Sequence, residues 1–145
     1  MIHIPSGDNF VIDANILFSC LISGKENYLT FFESNTVYVP DFLYEEIQLH
    51  QEVIRLKSKL AATEFRRYAL AVFRSLIVIP NLLISDQHFY QAYYLCRDVD
   101  LKDLNYVALS IELNFPLLTR DKPLAEGLRA KGYTNVILLD ELFGQ

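Results

Sequence analysis

Cysteine is scarce in this chain, long apolar runs are missing and positive charge is in deficit. Each shortage closes off a class of protein. The two cysteines, Cys20 and Cys96, lie far apart inside apolar segments. They read as buried free thiols of a cytosolic protein, not as a disulfide framework or a zinc site. No stretch approaches the ~20 consecutive apolar residues of a membrane span. Residues 1–9 lack a basic region followed by an apolar one, so no secretory signal is expected. The formal net charge of -5 is the reverse of the basic balance that marks most nucleic-acid binders. Repeats, low-complexity tracts and long linkers are also absent.

What is present suffices for one domain over residues 1–145, with 52% hydrophobic residues to fill a core. The charge is also unevenly spread. Arg55, Lys57, Lys59, Arg66, Arg67 and Arg74 are opposed only by Glu64. A solvated helix face explains such a run, and so does a phosphate-contacting flank beside an acidic site.

Apolar runs rich in Val, Ile and Leu at 10–13, 36–40, 76–80, 115–119 and 136–139 predict short buried strands. Amphipathic stretches separate them, at 15–34 (broken near Gly24), 41–75 (two helices), 86–97, 101–113 and 122–131. Gly132 stands where a helix C-terminal glycine belongs. The alternation predicts an α/β domain of three layers, with a central, mostly parallel sheet of about five strands flanked by helices. Such sheets bind their ligands beyond the carboxyl ends of the strands.

Acids cluster at those ends. Asp13 closes the first strand, in Val11-Ile12-Asp13-Ala14-Asn15, and Asp121 follows the fourth, in Leu117-Leu118-Thr119-Arg120-Asp121. Either would also cap the helix that follows. Asp100 and Asp103 open a helix, a pattern that a capping box explains equally well. Glu46 is harder to dismiss. At ~100° per residue it falls within the apolar face defined by Phe42, Leu43, Ile47, Leu49, Val53 and Ile54, whereas Glu45 falls at its edge. An inward glutamate needs a partner, because an unpaired buried charge is costly. Taken together, Asp13, Glu46, Asp103 and Asp121 would share one edge of a parallel sheet. Crowded carboxylates repel and raise one another's pKa, and a hard cation such as Mg²⁺ or Mn²⁺ resolves that repulsion. The three histidines, His3, His50 and His88, lie outside these acidic motifs.

In order, spacing and apolar setting, these segments resemble the PIN domain, a small nuclease fold found in VapC-type toxins and RNA-processing enzymes. The matching pieces are Val11 to Asn15, Pro40 to Ile47, Asp103 to Ser110 and Leu117 to Asp121. The resemblance implies an acidic quartet of Asp13, Glu46, Asp103 and Asp121 holding Mg²⁺ or Mn²⁺, with Asp100 as an additional ligand and Asn15 and Thr119 as polar supports. It implies hydrolysis of RNA phosphodiesters, with Arg55, Lys57, Lys59, Arg66, Arg67, Lys102, Arg120 and Lys122 as candidate backbone contacts. A toxin with a cognate antitoxin protein, dimeric and cytoplasmic, is the role expected first. A housekeeping RNA-processing nuclease and a non-catalytic RNA- or protein-binding module are the alternatives. A haloacid-dehalogenase-like phosphatase would want an aspartate where this chain has Asn15.

Overall fold

A computed structural model describes residues 3–143. The strands are β1 (Asn9–Ile12), β2 (Thr36–Pro40), β3 (Leu76–Ile79), β4 (Leu117–Thr119) and β5 (Val136–Leu138). They form one five-stranded sheet in the order β3-β2-β1-β4-β5. Every neighbouring pair is parallel. The expected α/β architecture is therefore the observed one. Helices cover both faces of a parallel sheet, so its strands read as continuous apolar runs. Accordingly Val11, Ile12, Val37, Val39, Leu117 and Leu118 are fully buried. The edge strand β3 is only half-buried, and its Ile77 is exposed.

The helices are α1 (Ala14–Ser23), α2 (Glu26–Ser34), α3 (Leu43–Lys57), α4 (Ala62–Arg74), α5 (Asp86–Cys96), α6 (Leu104–Leu113), α7 (Lys122–Ala130) and α8 (Leu139–Phe143). The break expected near Gly24 falls there. Gly24 ends α1 in the left-handed region, at φ 62°, and a Cβ on it would lie 2.5 Å from Leu60 Cγ. Both the backbone and the close approach of Leu60 require glycine. Asn114 ends α6 in the same way, at φ 57°. No described helix is long and apolar enough to cross a membrane.

Two expectations fail locally. The helix α8, directly after β5, is not foreshadowed by any apolar period of helical length. On α3 the inward face is narrower than the sequence pattern predicts. Leu43 and Ile54 are buried, but Leu49 is 79% exposed and Val53 also faces solvent. The main neighbour of α3 is the helix α1, and the apolar residues of α3 away from that contact are left outside.

The sheet order places a switch point at β1 and β4. From β1 the chain proceeds outward to β2 and β3, then returns across to β4 and β5. The crevice between the carboxyl ends of β1 and β4 is where ligands of such sheets bind.

Candidate active site

Asp13 sits in that crevice, immediately after β1, and is 2% exposed. Its two oxygens are held from two sides. Oδ1 accepts from the Ile16 N–H at 3.1 Å, capping α1. Oδ2 accepts from the Thr119 hydroxyl at 2.5 Å, across from β4. The capping role and a role in the crevice therefore coexist in one carboxylate. Thr119 is fully buried, and its Oγ1 also accepts from the Asp121 N–H at 2.9 Å. It ties the acid after β1 to the acid after β4. Asp121 in turn caps α7, accepting from the Leu124 N–H at 3.0 Å.

Asp103 is 6% exposed, and its Oδ2 is buried without a hydrogen-bond partner. Asp100 is occupied differently. Its Oδ1 accepts from the Lys102 N–H at 3.1 Å and its Oδ2 lies 3.4 Å from Lys102 Nζ. Asp100 caps the 3-10 turn Leu101–Asp103 that leads into α6, and Asp103 is the one that lines the crevice. Glu46 is half-buried whereas Glu45 is exposed. A carboxylate oxygen of Glu46 accepts from the hydroxyl of the buried Tyr106.

Asp13, Asn15, Phe18, Glu46, His50, Lys102, Asp103 and Tyr106 line a hollow of ≈ 230 Å³; Asp121, expected as the fourth acid, borders the adjoining hollow instead. Burial pushes the Asp13 carboxyl up to about 6; the Thr119 and Ile16 hydrogen bonds oppose that rise, and the charges of Asp121 and Glu46 add to it. Burial likewise pushes Asp103 up to about 7, aided by the charges of Asp13, Asp100 and Asp121. Burial and the Glu46 carboxylate hold the Tyr106 phenol well above its usual value. Asp100 raises the pKa of Lys102, which stays a cation at the rim.

Among the described residues no three His, Cys, Asp or Glu side chains stand ready-made around one ion. Both oxygens of Asp13 and one oxygen each of Glu46 and Asp121 are engaged by protein donors. The fit of a hard cation rests on Asp103. A buried carboxylate oxygen with no donor, facing other carboxylates, is the setting that Mg²⁺ or Mn²⁺ satisfies.

The expected cations separate into two groups. Lys102 lines the acidic hollow. Arg120 lines an adjoining hollow with Asn15, Phe18, Ser19, Ile22 and Asp121, and Lys122 lies with Arg120 along a further one. Arg55, Lys57, Lys59 and Arg66 line none of these, and Arg67 lines a separate hollow between α2 and α4. Arg55 is paired with Glu52 at 3.3 Å.

Sequence reasoning missed Tyr106, Phe18 and His50. Tyr106 lies three residues after Asp103, and a buried tyrosine needs a partner for its hydroxyl. That need was the available signal. His50 was expected outside the acidic motifs, yet it follows Glu46 by one helical turn and lines the same hollow. Its ring lies 5.3 Å from that of Phe18.

A model of the PIN domain matches residues 11–139 of the chain. No curated protein matches it significantly. Among solved structures the chain is similar to PAE2754 from Pyrobaculum aerophilum, at 15% identity over 94% of this chain and 88% of that one, with a TM-score of 0.62. It is also similar to VapBC2 from Rickettsia felis, solved bound to a DNA fragment from their promoter, at 18% identity over 90% of this chain and 96% of that one, with a TM-score of 0.56. At these identities the likeness is one of fold.

Proposed function

The chain belongs to the PIN domain family, and from that premise we propose that it is a Mg²⁺- or Mn²⁺-dependent endoribonuclease, the toxin of a toxin–antitoxin pair. In this reading residues 1–145 act as one nuclease domain in the cytoplasm, and the partners are an RNA substrate, a cognate antitoxin protein and a second copy of the chain. The observation that carries the reading is that Asp13, Glu46 and Asp103 line one hollow at the switch point of a parallel sheet, with a buried Asp103 oxygen left unpaired and Asp121 linked to Asp13 through Thr119.

Asp13, Glu46, Asp103 and Asp121 would hold the ion, with Asp100 kept as the cap beside them. When bound, the ion supplies a Lewis acid for the phosphoryl group and lowers the pKa of water. The protein's own residues do the rest. Thr119 and the Ile16 N–H fix the Asp13 carboxylate, and Tyr106 fixes Glu46, so neither must be ordered when substrate arrives. Near neutrality Asp103 holds a proton for part of the time, which relieves the crowding of charge in the metal-free protein. Asn15 lines the wall of the hollow as a neutral hydrogen-bonding group. Lys102 at the rim, and Arg120 and Lys122 beyond it, present cations to the RNA backbone.

The test is cleavage of single-stranded RNA in Mg²⁺ or Mn²⁺. Asp13→Asn is expected to reduce the rate by at least about a thousandfold, or 4 kcal/mol of barrier. Full activity in that variant, or in excess chelator, overturns the assignment. The likeness to VapBC2 supports the toxin role over a housekeeping RNA-processing nuclease. Growth arrest that needs Asp13 and is relieved by the product of an adjacent small gene distinguishes the two. A non-catalytic binding module is the second reading, favoured by the protein donors that already engage Asp13, Glu46 and Asp121. It predicts no Mn²⁺ binding that depends on Asp13 and Asp121.

A further inference from the structure

Helix α1 carries a face that its packing does not consume. Ile16, Leu17, Cys20 and Leu21 are buried, but Phe18, Ser19 and Ile22 stay partly exposed and Asn15 faces solvent. Asn15, Phe18, Ser19 and Ile22 follow the spacing of a single helical face. With Arg120 and Asp121 opposite, they bound a hollow of ≈ 480 Å³. It is a broad depression open to solvent, whereas small-molecule sites of roughly 300–1,000 Å³ are mostly enclosed. The acidic hollow beside it, at ≈ 230 Å³, falls below that range and suits a phosphate group better than a nucleotide. The two hollows share Asn15 and Phe18 as a common wall.

The lining of the larger hollow is mixed in a specific way. Phe18 and Ile22 supply an aromatic and an aliphatic surface. The exposed Arg120 supplies a cation whose Nη1 donates to the Ser19 hydroxyl at 2.7 Å, which orients it along this wall. A guanidinium has five N–H donors, so others remain for an incoming anion. The Phe18 ring also packs against that of His50, with the rings inclined at 57°. An aromatic surface one wall away from the acids, with an oriented arginine across from it, matches the repeating chemistry of a nucleotide.

We propose that this hollow is a nucleobase subsite, in which the base next to the scissile phosphate stacks on Phe18 against Ile22, and its outer phosphate meets Arg120. The proposal rests on the nuclease reading above for the presence of RNA in the acidic hollow. Stacking reads a π-face and not a pattern of donors, so the subsite demands an unpaired base and tolerates its identity. It therefore selects single-stranded RNA.

Abasic scanning tests it. Short single-stranded RNAs, each with one base removed, are bound to the full chain carrying Asp13→Asn and followed by fluorescence anisotropy. The same RNAs give KM values with the wild-type chain. One position is expected to lose affinity about tenfold, within the ~1–3 kcal/mol of a stacked base. Phe18→Leu should weaken binding of intact RNA to a similar degree and become indifferent to the missing base. Phe18→Tyr, which keeps the ring, should retain both affinity and sensitivity. A flat scan, or a scan unchanged by Phe18→Leu, overturns the subsite. The scan on the Phe18-containing protein decides the matter even if Phe18→Leu fails to fold. Cleavage without an abasic effect would sink the subsite and leave the nuclease standing. An abasic effect on binding without any cleavage would do the reverse.

Discussion

Asp103 is buried, and one of its oxygens has no donor. Among other acids, that arrangement destabilises the metal-free fold. Asp13 and Asp103 both have folded-state values, about 6 and about 7, above the ordinary 3.8. Between about pH 4 and 7 the folded chain therefore binds more protons than the unfolded one, and stability falls as pH rises through that window. In chelator the melting temperature should be highest below about pH 4, as far as these two groups decide it, and should decline until it levels off above about pH 7. Asp103→Asn removes the charge and keeps the shape. It should raise the melting temperature of the metal-free protein at pH 8, by roughly 1–3 kcal/mol equivalent, while abolishing RNA cleavage. Thermal melts at several pH values check this. A lower melting temperature at pH 8 in the variant would mean that Asp103 is a structural acid and not a ligand awaiting a cation. The engaged acids differ in kind: Asp13 and Asp121 also cap helices, so removing them mixes loss of function with loss of a cap.

At the scale of elements, the strands and most helix boundaries were legible because local signals agreed with the fold. Buried parallel strands announce themselves as short Val- and Ile-rich runs, and glycine and asparagine mark helix ends. Gly24 illustrates how firmly one residue sets a boundary. Gly24→Ala would force a Cβ toward Leu60 at φ 62°, and should destabilise by about 1–3 kcal/mol in urea unfolding. A neutral outcome would mean that the α1–α2 corner and Leu60 yield freely. What was not legible depends on neighbours far away in sequence. The exposure of Leu49 and Leu56, at 79% and 82%, follows from how α3 is seated on α1, which no helical period reveals. The four acids could be nominated from strand ends and helix starts, but not the donors that hold them. Tyr106 reaches Glu46 across 60 residues and Thr119 reaches Asp13 across 106. The sequence favours Asp103 over Asp100, but the pairing of Asp100 with Lys102 was not legible there.

On the scale of the whole molecule the net charge of -5 leaves open where an RNA strand would run. Two sets of cations compete. Lys102, Arg120 and Lys122 stand at or beside the hollows. Arg55, Lys57, Lys59, Arg66 and Arg67 lie on or between α3 and α4, exposed and away from the acids. Salt dependence separates them, because each phosphate neutralised on a single strand adds about -0.7 to the slope of log K against log salt. Three contacts give roughly -2, and all eight give roughly -5 to -6. The acids favour the smaller value: a strand held at the crevice meets the nearer three cations first, and Arg55 is already paired with Glu52. Binding of single-stranded RNA to the Asp13→Asn chain, titrated with salt, should therefore give a slope near -2. Joint replacement of Arg66 and Arg67 by Gln should leave that slope unchanged, whereas Arg120→Gln should reduce it by nearly one contact. A steep slope that falls on replacing Arg66 and Arg67 would instead lay the strand across α3 and α4, and the basic segment would be a groove and not merely a solvated face.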